Sequence, residues 1–583
     1  MNILFYDKDM APGGIAVVTE TLAAALKRKG HKTGVYVLDL ADDEIVNRLP
    51  KDVPVYEGKG IRISKQNVQK MRKVLIDNEI DVVVNQQGLN PIPITILDKA
   101  RKGLKTKVIS VYHLQVNTNG RIKGVEQEIE RCHSKIELPL LHLKLILYKW
   151  ITSRSMRYVY KKSDLFEVLS PSFVPLFMDF TGIKNPQKLT VQANPVTLSP
   201  PKDNVDIESK KKEIIFVGRL DYMHKRPNRI LDMWSLLYRK FPDWSLIFVG
   251  DGPQKDELEE NVKENKIGNV KFVGFQSPRS YYESASILIL TSEYEGLPLV
   301  IEEGMSYGVV PCVYDSFPAC MDLIKDGVNG LILPKIKGKF DAQHSANLLS
   351  GIMSDDNKRH NMAKAAIETS HDFSLDKITK SWENVFSSIN GGGHYDLLNL
   401  IKDKEIIFVG RLDNTHKRPH RVIETWKFIE SKYPDWKLSF VGDGPERERL
   451  EEQVRELGLK RVFFEGFQNP IKYYQRASIL ILASDIEGFG LVLVEGMSFG
   501  VIPVAYASYT AVYDIITDNE NGVIIPYHEE GYPAEYAAQK ITELIDNREK
   551  RAKMAYSAVK NSYKYSLTSV CNEWEKKLFQ LIY

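Results

Sequence analysis

A long internal repeat constrains this chain more than any other feature. The stretch EIIFVGRLDYMHKRP beginning at Glu213 returns as EIIFVGRLDNTHKRP beginning at Glu405, 192 residues further on. The same offset relates Trp244 to Trp436, Gly250 to Gly442, Glu295 to Glu487, Glu303 to Glu495, Pro334 to Pro526 and Trp382 to Trp574, so the alignment runs without a gap. More than half the positions from Glu213 to Pro334 match their counterparts, too many for convergent packing. Solenoid repeats are shorter, about 20–50 residues. The repeat is therefore a duplicated whole domain, and the glycines of INGGGHYD, Gly391 to Gly393, read as its linker.

Within each copy, short apolar runs alternate with amphipathic segments. IIFVGR, WSLIFVG, VKFVGF, SILILTS and VVPCVY are strand candidates separated by helical patterns, which implies a parallel sheet covered on both faces. The first 200 residues read similarly, with NILFY, KTGVYVLDL, IDVVVNQ, KVISVYH, DLFEVLS and KLTVQA as strands. The expected fold class is α/β, built of Rossmann-like domains: an amino-terminal domain at 1–200, copy 1 at 205–390, a linker at 391–403 and copy 2 at 404–583.

Composition excludes several function classes. Lys plus Arg total 79 against 76 acidic residues, a net charge of +3 that announces no nucleic-acid binder. Cys132, Cys312, Cys320 and Cys571 lack metal-type spacing and read as reduced thiols. The first residues lack a signal-peptide pattern and no apolar run reaches about 18 residues, so a cytoplasmic location is expected.

The motifs come in a telling order. APGGIAVVTETLAAAL with Gly13 and Gly14 follows the first strand, then come RKGHKTGVYV, VYHL with His113, DLFEVLSPS and ANPV. Each copy then carries VGRL with a following Lys, VGDGP and two glutamates spaced Glu-x(7)-Glu. In this order and spacing the chain resembles the retaining glycosyltransferases of family 4 over nearly its whole length. The resemblance implies the GT-B fold and transfer of a sugar from a nucleotide diphosphate, a UDP-sugar being the commonest donor, to a carbohydrate or lipid-linked acceptor. It also implies bacterial surface polysaccharide synthesis as the process. Glu303 then resembles the glutamate that accepts from ribose hydroxyls, Glu295 the one that meets the transferred sugar, and His113 a residue facing that sugar across the cleft.

The residues themselves fit such chemistry. Arg219 follows a strand and Lys225 lies six residues on. At the carboxyl end of a parallel sheet they can grip a diphosphate and stabilise the charge on the leaving group. A solvated basic face would account for an isolated Arg and Lys, but their recurrence as Arg411 and Lys417 argues for function. Glu295 and Glu303 bracket a helix expected to start near Pro298, whose free N–H groups suit phosphate; Glu487 and Glu495 repeat them. Gly13 and Gly14 permit close backbone approach to the donor. The pair of carboxylates lies in one local segment and does not suit a glycosidase. The family's retention is attributed to attack on the face that the diphosphate leaves, with no protein nucleophile. Arg219 and Lys225 do the work of a cation, so no metal is expected at Asp7-Lys-Asp9 or elsewhere, and no cofactor beyond the nucleotide-sugar co-substrate.

Residues 136–162, IELPLLHLKLILYKWITSRSMRYVYKK, combine large apolar residues with six basic ones, Lys144, Lys149, Arg154, Arg157, Lys161 and Lys162, against the acid Glu137. Such a segment suits either an anionic membrane surface or a core helix with a solvated basic face. The first copy follows the amino-terminal domain directly and is expected to form the working cleft, with its last helix SLDKITKSWENVF packed back on that domain. The second copy is expected to bind donor without transferring it, or to face the amino-terminal domain of another molecule in a homodimer. The rival readings are sugar epimerisation on the same fold and a nucleotide-sugar-binding scaffold.

Overall fold

A computed structural model of the chain describes residues 1–11, 13–40, 48–134, 136–183, 186–200, 205–390 and 402–565, with 570 and 574. Residues 391–401 of the linker, and Cys571, lie outside the described residues. The chain divides into two compact units, Met1–Tyr395 and Asp396–Tyr583.

The first unit holds two sheets. The amino-terminal sheet comprises β1 (Asn2–Asp7), β2 (Lys32–Val37), β3 (Val55–Glu57), β4 (Val82–Asn85), β5 (Lys107–Tyr112), β6 (Leu165–Val168) and β7 (Leu189–Val191) in the order β3-β2-β1-β4-β5-β6-β7. Every pairing is parallel. Its central strands are apolar on both faces, Ile3, Leu4, Phe5, Val82, Val83 and Val84 being fully buried, as helices covering both sides require. The second sheet comprises β8 (Lys211–Val217), β9 (Ser245–Val249), β10 (Val270–Phe272), β11 (Ala285–Leu290), β12 (Val310–Tyr314) and β13 (Leu331–Leu333), ordered β10-β9-β8-β11-β12-β13. In both sheets the order reverses beside the first strand, and ligands of such sheets sit at the carboxyl ends of the strands flanking that point.

Glycines shape that end of the second sheet. A Cβ at Gly250, where φ is 146°, would lie 2.0 Å from the Gly218 carbonyl oxygen, and one at Gly252 would lie 2.4 Å from that of Leu220. Only glycine lets the loops after β8 and β9 come this close. Helix α1 (Gly14–Arg28) opens at the glycine pair and buries Leu22, Ala23 and Leu26. The helix α2 (Gly120–Arg131) and the long helix α3 (Glu137–Lys162) pack together in the amino-terminal domain. The helix α4 (Leu299–Ser306) follows β11, with Pro298 as its N-cap residue rather than its first helical residue. The helix α5 (Leu375–Asn390) returns to the amino-terminal domain and packs on α1. There Ser381 Oγ donates to Gln192 Oε1 at 2.8 Å and Phe386 meets the His31 ring.

The second unit repeats the second sheet: β14 (Asp403–Val409), β15 (Lys437–Val441), β16 (Val462–Gly466), β17 (Ala477–Leu482), β18 (Ile502–Tyr506) and β19 (Val523–Ile525), ordered β16-β15-β14-β17-β18-β19. Its first strand begins at Asp403, one residue inside the expected linker. Trp426 and Trp436 fill its core where Trp234 and Trp244 fill that of copy 1. The helix after β17, α6 (Leu491–Ser498), corresponds to α4. No helix among the described residues is long and apolar enough to cross a membrane.

Candidate active site

In the first unit, the carboxyl ends of β4 and β5 face the loop between β11 and α4. His113 Nε2 lies 2.7 Å from Gln86 Oε1, and the Gln86 amide donates to Thr19 Oγ1 at 3.1 Å. With the carboxamide oxygen as acceptor, Nε2 carries the hydrogen and leaves the Nδ1 lone pair available. Burial pushes the His113 pKa down to about 4, so the ring is neutral at pH 7. The loop of copy 1 approaches the His113 backbone so closely that a Cβ at Gly296 would lie 1.9 Å from the His113 carbonyl oxygen. Nearby, the Tyr294 hydroxyl reaches Gly120, Met223 reaches Gly124, and Leu299 lies over Gly14. A Cβ at Gly14 would make an ordinary contact with Leu299, 3.5 Å away at the start of α4. Asp322 accepts from the Ser170 hydroxyl and from the Ser172 N–H, pinning the two domains at a second point.

On the donor side, Lys225 Nζ donates to Glu295 Oε1 at 2.7 Å, and His224 Nε2 stands 3.5 Å from the same oxygen. Burial alone would raise the Glu295 pKa; the Lys225 ammonium and the His224 ring outweigh it and hold the carboxyl far below the usual carboxylate range. His224 stacks on Tyr294 at 4.5 Å and bonds to its carbonyl. The next residue, Arg226, sits at φ 53°, a left-handed conformation uncommon for arginine. Arg226 and Arg229 both hold Glu293 Oε1, at 2.9 and 2.6 Å, which fixes the turn that aims Lys225.

Glu303 is buried on α4, where it accepts from the Tyr282 hydroxyl at 3.1 Å and from the Thr197 hydroxyl. Each carboxylate oxygen has a further lone pair to offer a ribose hydroxyl. Arg219 is exposed at the end of β8, whereas Lys225 is largely buried in its pair with Glu295. Asp7 accepts from Gln87 at 2.6 Å and Asp9 pairs with Lys8 at 2.5 Å; the described residues contain no cluster of metal-ligating side chains. The sequence reading missed Gln86, Thr19, Thr197, Tyr282 and His224. Of these only His224 had a local signal, its recurrence as His416 in the repeated motif.

Copy 2 repeats the donor-side contacts. Lys417 Nζ donates to Glu487 Oε1 at 2.6 Å, and the Tyr474 hydroxyl donates to Glu495 Oε2 at 3.0 Å. Arg418, at φ 49°, and Arg421 hold Asp485, while Arg411 is exposed like Arg219. The loop before α6 differs: Gly490 stands in place of Pro298 at φ 82°, a conformation closed to proline.

The family model described as glycosyl transferases group 1 matches residues 201–369 and again 398–561, and the model of glycosyltransferase family 4 matches 12–199. The amylovoran biosynthesis glycosyltransferase AmsD of Erwinia amylovora is 30% identical over 181 residues, 30% of this chain and 49% of the relative. The GalNAc-alpha-(1->4)-GalNAc-alpha-(1->3)-diNAcBac-PP-undecaprenol alpha-1,4-N-acetyl-D-galactosaminyltransferase of Campylobacter jejuni is 29% identical over 182 residues, 31% of this chain and 49% of the relative. The chain thus spans about half the length of these curated relatives. The crystal structure of Anabaena HepE with UDP and glucose superposes with a TM-score of 0.51 at 17% identity, covering 67% of this chain and all of HepE, and supports the GT-B fold. With both copies and the amino-terminal domain matched in sequence order, the chain belongs to the group 1 glycosyl transferases, of the family 4 kind.

Proposed function

We propose that the chain is a cytoplasmic retaining glycosyltransferase that moves a sugar from a nucleoside diphosphate, a UDP-sugar, to a carbohydrate or lipid-linked acceptor of a bacterial surface polysaccharide. The observation that carries this reading is the closed arrangement in the first unit. The ionised Glu295 and its Lys225 partner stand on a loop seated against His113 of the facing domain. Such a cleft excludes water and strengthens charge interactions inside it. The names of the Erwinia and Campylobacter relatives support the process and the lipid-linked acceptor; the HepE complex supports the nucleotide.

In this reading the acceptor oxygen attacks the anomeric carbon as the bond to the diphosphate breaks, and the departing phosphate oxygen takes the acceptor proton. Lys225 and Arg219 stabilise the charge that builds on the diphosphate. Glu303 orients the ribose, and Glu295 and His113 position the sugar. Both glutamates are already engaged on the donor side, which fits a mechanism without a protein nucleophile. The test is to incubate the full chain with nucleotide sugars and short glycan or lipid-linked acceptors and to seek a new glycosidic bond by mass spectrometry. An epimerised donor, or binding without chemistry, contradicts the reading. Transfer is expected to persist in excess EDTA; loss restored by Mn²⁺ or Mg²⁺ contradicts the assignment of the charge work to Arg219 and Lys225.

The same reading assigns helix α3 to an anionic membrane surface. Ile136, Leu140, Leu143, Leu147 and Trp150 are exposed at alternating spacings of four and three, one continuous stripe, and Arg154, Arg157 and Lys161 continue it. Lys144, Lys149 and Lys162 do not contribute free charge as the sequence reading assumed: they pair with Glu128, Glu126 and Asp98.

A further inference from the structure

We propose that an open pocket at the carboxyl end of α3 binds the phosphate headgroup of an anionic lipid and holds that end of the helix on the membrane. This site rests on the membrane reading of α3 and adds to it a second contact, made by residues outside the helix.

Charge is concentrated here beyond anything the composition provides. The whole chain carries 79 basic residues against 76 acidic ones, yet residues 99–107, KARKGLKTK, hold five basic residues and no acid. These five line a pocket of about 790 Å³ together with Asp98 and Asp164. Both acids are engaged, Asp98 with Lys162 at 2.6 Å and Asp164 with Arg101. Arg101 also donates to the Lys162 carbonyl at 2.7 Å, so it ties the last turn of α3 to the loop. Lys99, Lys102 and Lys105 have no such use: they are exposed, and their side chains have no ion pair or hydrogen bond among the described residues. Lys99 sits in the last turn of the helix Pro91–Ala100, where a cation complements the helix dipole. Lys102 and Lys105 lie beyond that helix and have no such account. Three unpaired ammonium groups around one concavity repel one another, and a phosphate seated among them would relieve that repulsion.

The pocket borders the stripe on α3. The helix Pro91–Ala100 packs along α3, where the Thr95 and Tyr158 hydroxyls lie 3.0 Å apart. Tyr158 and Lys162, which make these contacts, each stand one residue beyond the stripe residues Arg157 and Lys161, so the helix that carries Lys99 flanks the stripe. The 26 residues of α3 extend about 39 Å. Its amino-terminal half adjoins α2 through Lys144 and Glu128, and Gln127 of α2 reaches the Met223 carbonyl of copy 1. Its carboxyl end stands at the start of β6, beside the start of β5 and opposite the end of β5 that leads to His113. The apolar half of the stripe therefore lies toward the cleft, and the basic half toward the pocket. Apolar side chains at one end and a headgroup gripped at the other would lay the whole helix along the lipid surface. This continuity with the apolar stripe favours a lipid over a soluble phosphate.

Sedimentation of the full chain with phosphatidylglycerol vesicles tests the site. Lys99→Gln with Lys102→Gln and Lys105→Gln is compared with Lys263→Gln, Lys266→Gln and Lys271→Gln, which removes the same charge from exposed positions of copy 1. The pocket variant is expected to lower the partition coefficient on the order of a hundredfold and the copy 1 variant by less than about threefold, with unfolding midpoints unchanged. Equal losses in the two variants would reduce the effect to net charge and overturn the site. Unchanged binding by the pocket variant, with loss in Arg154→Gln, Arg157→Gln and Lys161→Gln, overturns the pocket and leaves α3 on the membrane. No preference of the parent chain for anionic over neutral vesicles overturns both. Calorimetric binding of inorganic phosphate that the pocket variant abolishes, with vesicle binding unchanged, assigns the pocket to a soluble anion and likewise overturns the proposal.

Discussion

Lys225 has a carboxylate partner before any donor arrives, and this changes what its removal means. An exposed cation could be deleted at little cost to folding, which is what the sequence leads one to expect of both Arg219 and Lys225. The structure separates them. Glu295 is buried, and Lys225→Ala would strand its charge, an effect of about 3–5 kcal/mol when a buried pair loses one partner. Arg219 is exposed and offers the cleaner test: Arg219→Ala should lower transfer on the order of a hundredfold with an unchanged unfolding midpoint. Equal loss of activity and stability in Arg219→Ala would show that the residue is structural. Glu167 on β6 gives a second prediction at this scale. It is fully buried, neither oxygen has a hydrogen-bond partner, and burial pushes its pKa up from 4.5 to about 8. The unfolded chain loses this proton near pH 4.5 and the folded chain only near pH 8. Its contribution to stability is thus complete below pH 4.5 and declines as the pH rises to 8. Glu167→Gln should remove a decline on the order of 3 kcal/mol between pH 5 and 8 in urea unfolding; the same decline in both proteins would contradict the assignment. The sequence showed Lys225 and both glutamates through their repetition, but not their partners. Gln86 lies 27 residues from His113 and Thr197 lies 106 from Glu303, contacts that only the folded sheets create.

Elements were legible wherever apolar runs were long enough to show a pattern. All six strands expected in the first 200 residues and all five expected in the first repeat domain are present. The strands not foreseen, β3 and β13, have three residues each and lie at sheet edges, as do β7 and β10, which were foreseen. The return of α5 to the amino-terminal domain was foreseen and is observed. Helix α3 was readable as amphipathic, but neither its exposure nor the pairing of Lys144 and Lys149 with acids on α2 was. The free charge is therefore at Arg154, Arg157 and Lys161. The chain should sediment with phosphatidylglycerol vesicles in a salt-sensitive way, and changing these three residues to Gln should reduce that binding. Equal sedimentation with neutral and anionic vesicles would remove α3 from the membrane.

For the whole molecule the repeat told of duplication but not of which copy works, since Arg, Lys and both glutamates stand in each. The two copies differ in the loop that carries the first glutamate, where Tyr294 and Pro298 of copy 1 are Ile486 and Gly490 in copy 2. Copy 1 shares a compact unit with the amino-terminal domain, and a Cβ at its Gly296 would run into the His113 carbonyl, whereas a Cβ at Gly488 has nothing within 4 Å. The measurement that tests this account most directly is transfer by Gly296→Ala beside Gly488→Ala. A methyl group at Gly296 would drive into the His113 carbonyl and hold the cleft open, and a displacement of about 1 Å can cost a hundredfold in rate. A methyl group at Gly488 meets nothing. The account predicts that Gly296→Ala lowers kcat/KM about a hundredfold or more while Gly488→Ala stays within about twofold of the parent. Full transfer by Gly296→Ala with loss in Gly488→Ala would contradict it and place the working cleft on the second copy.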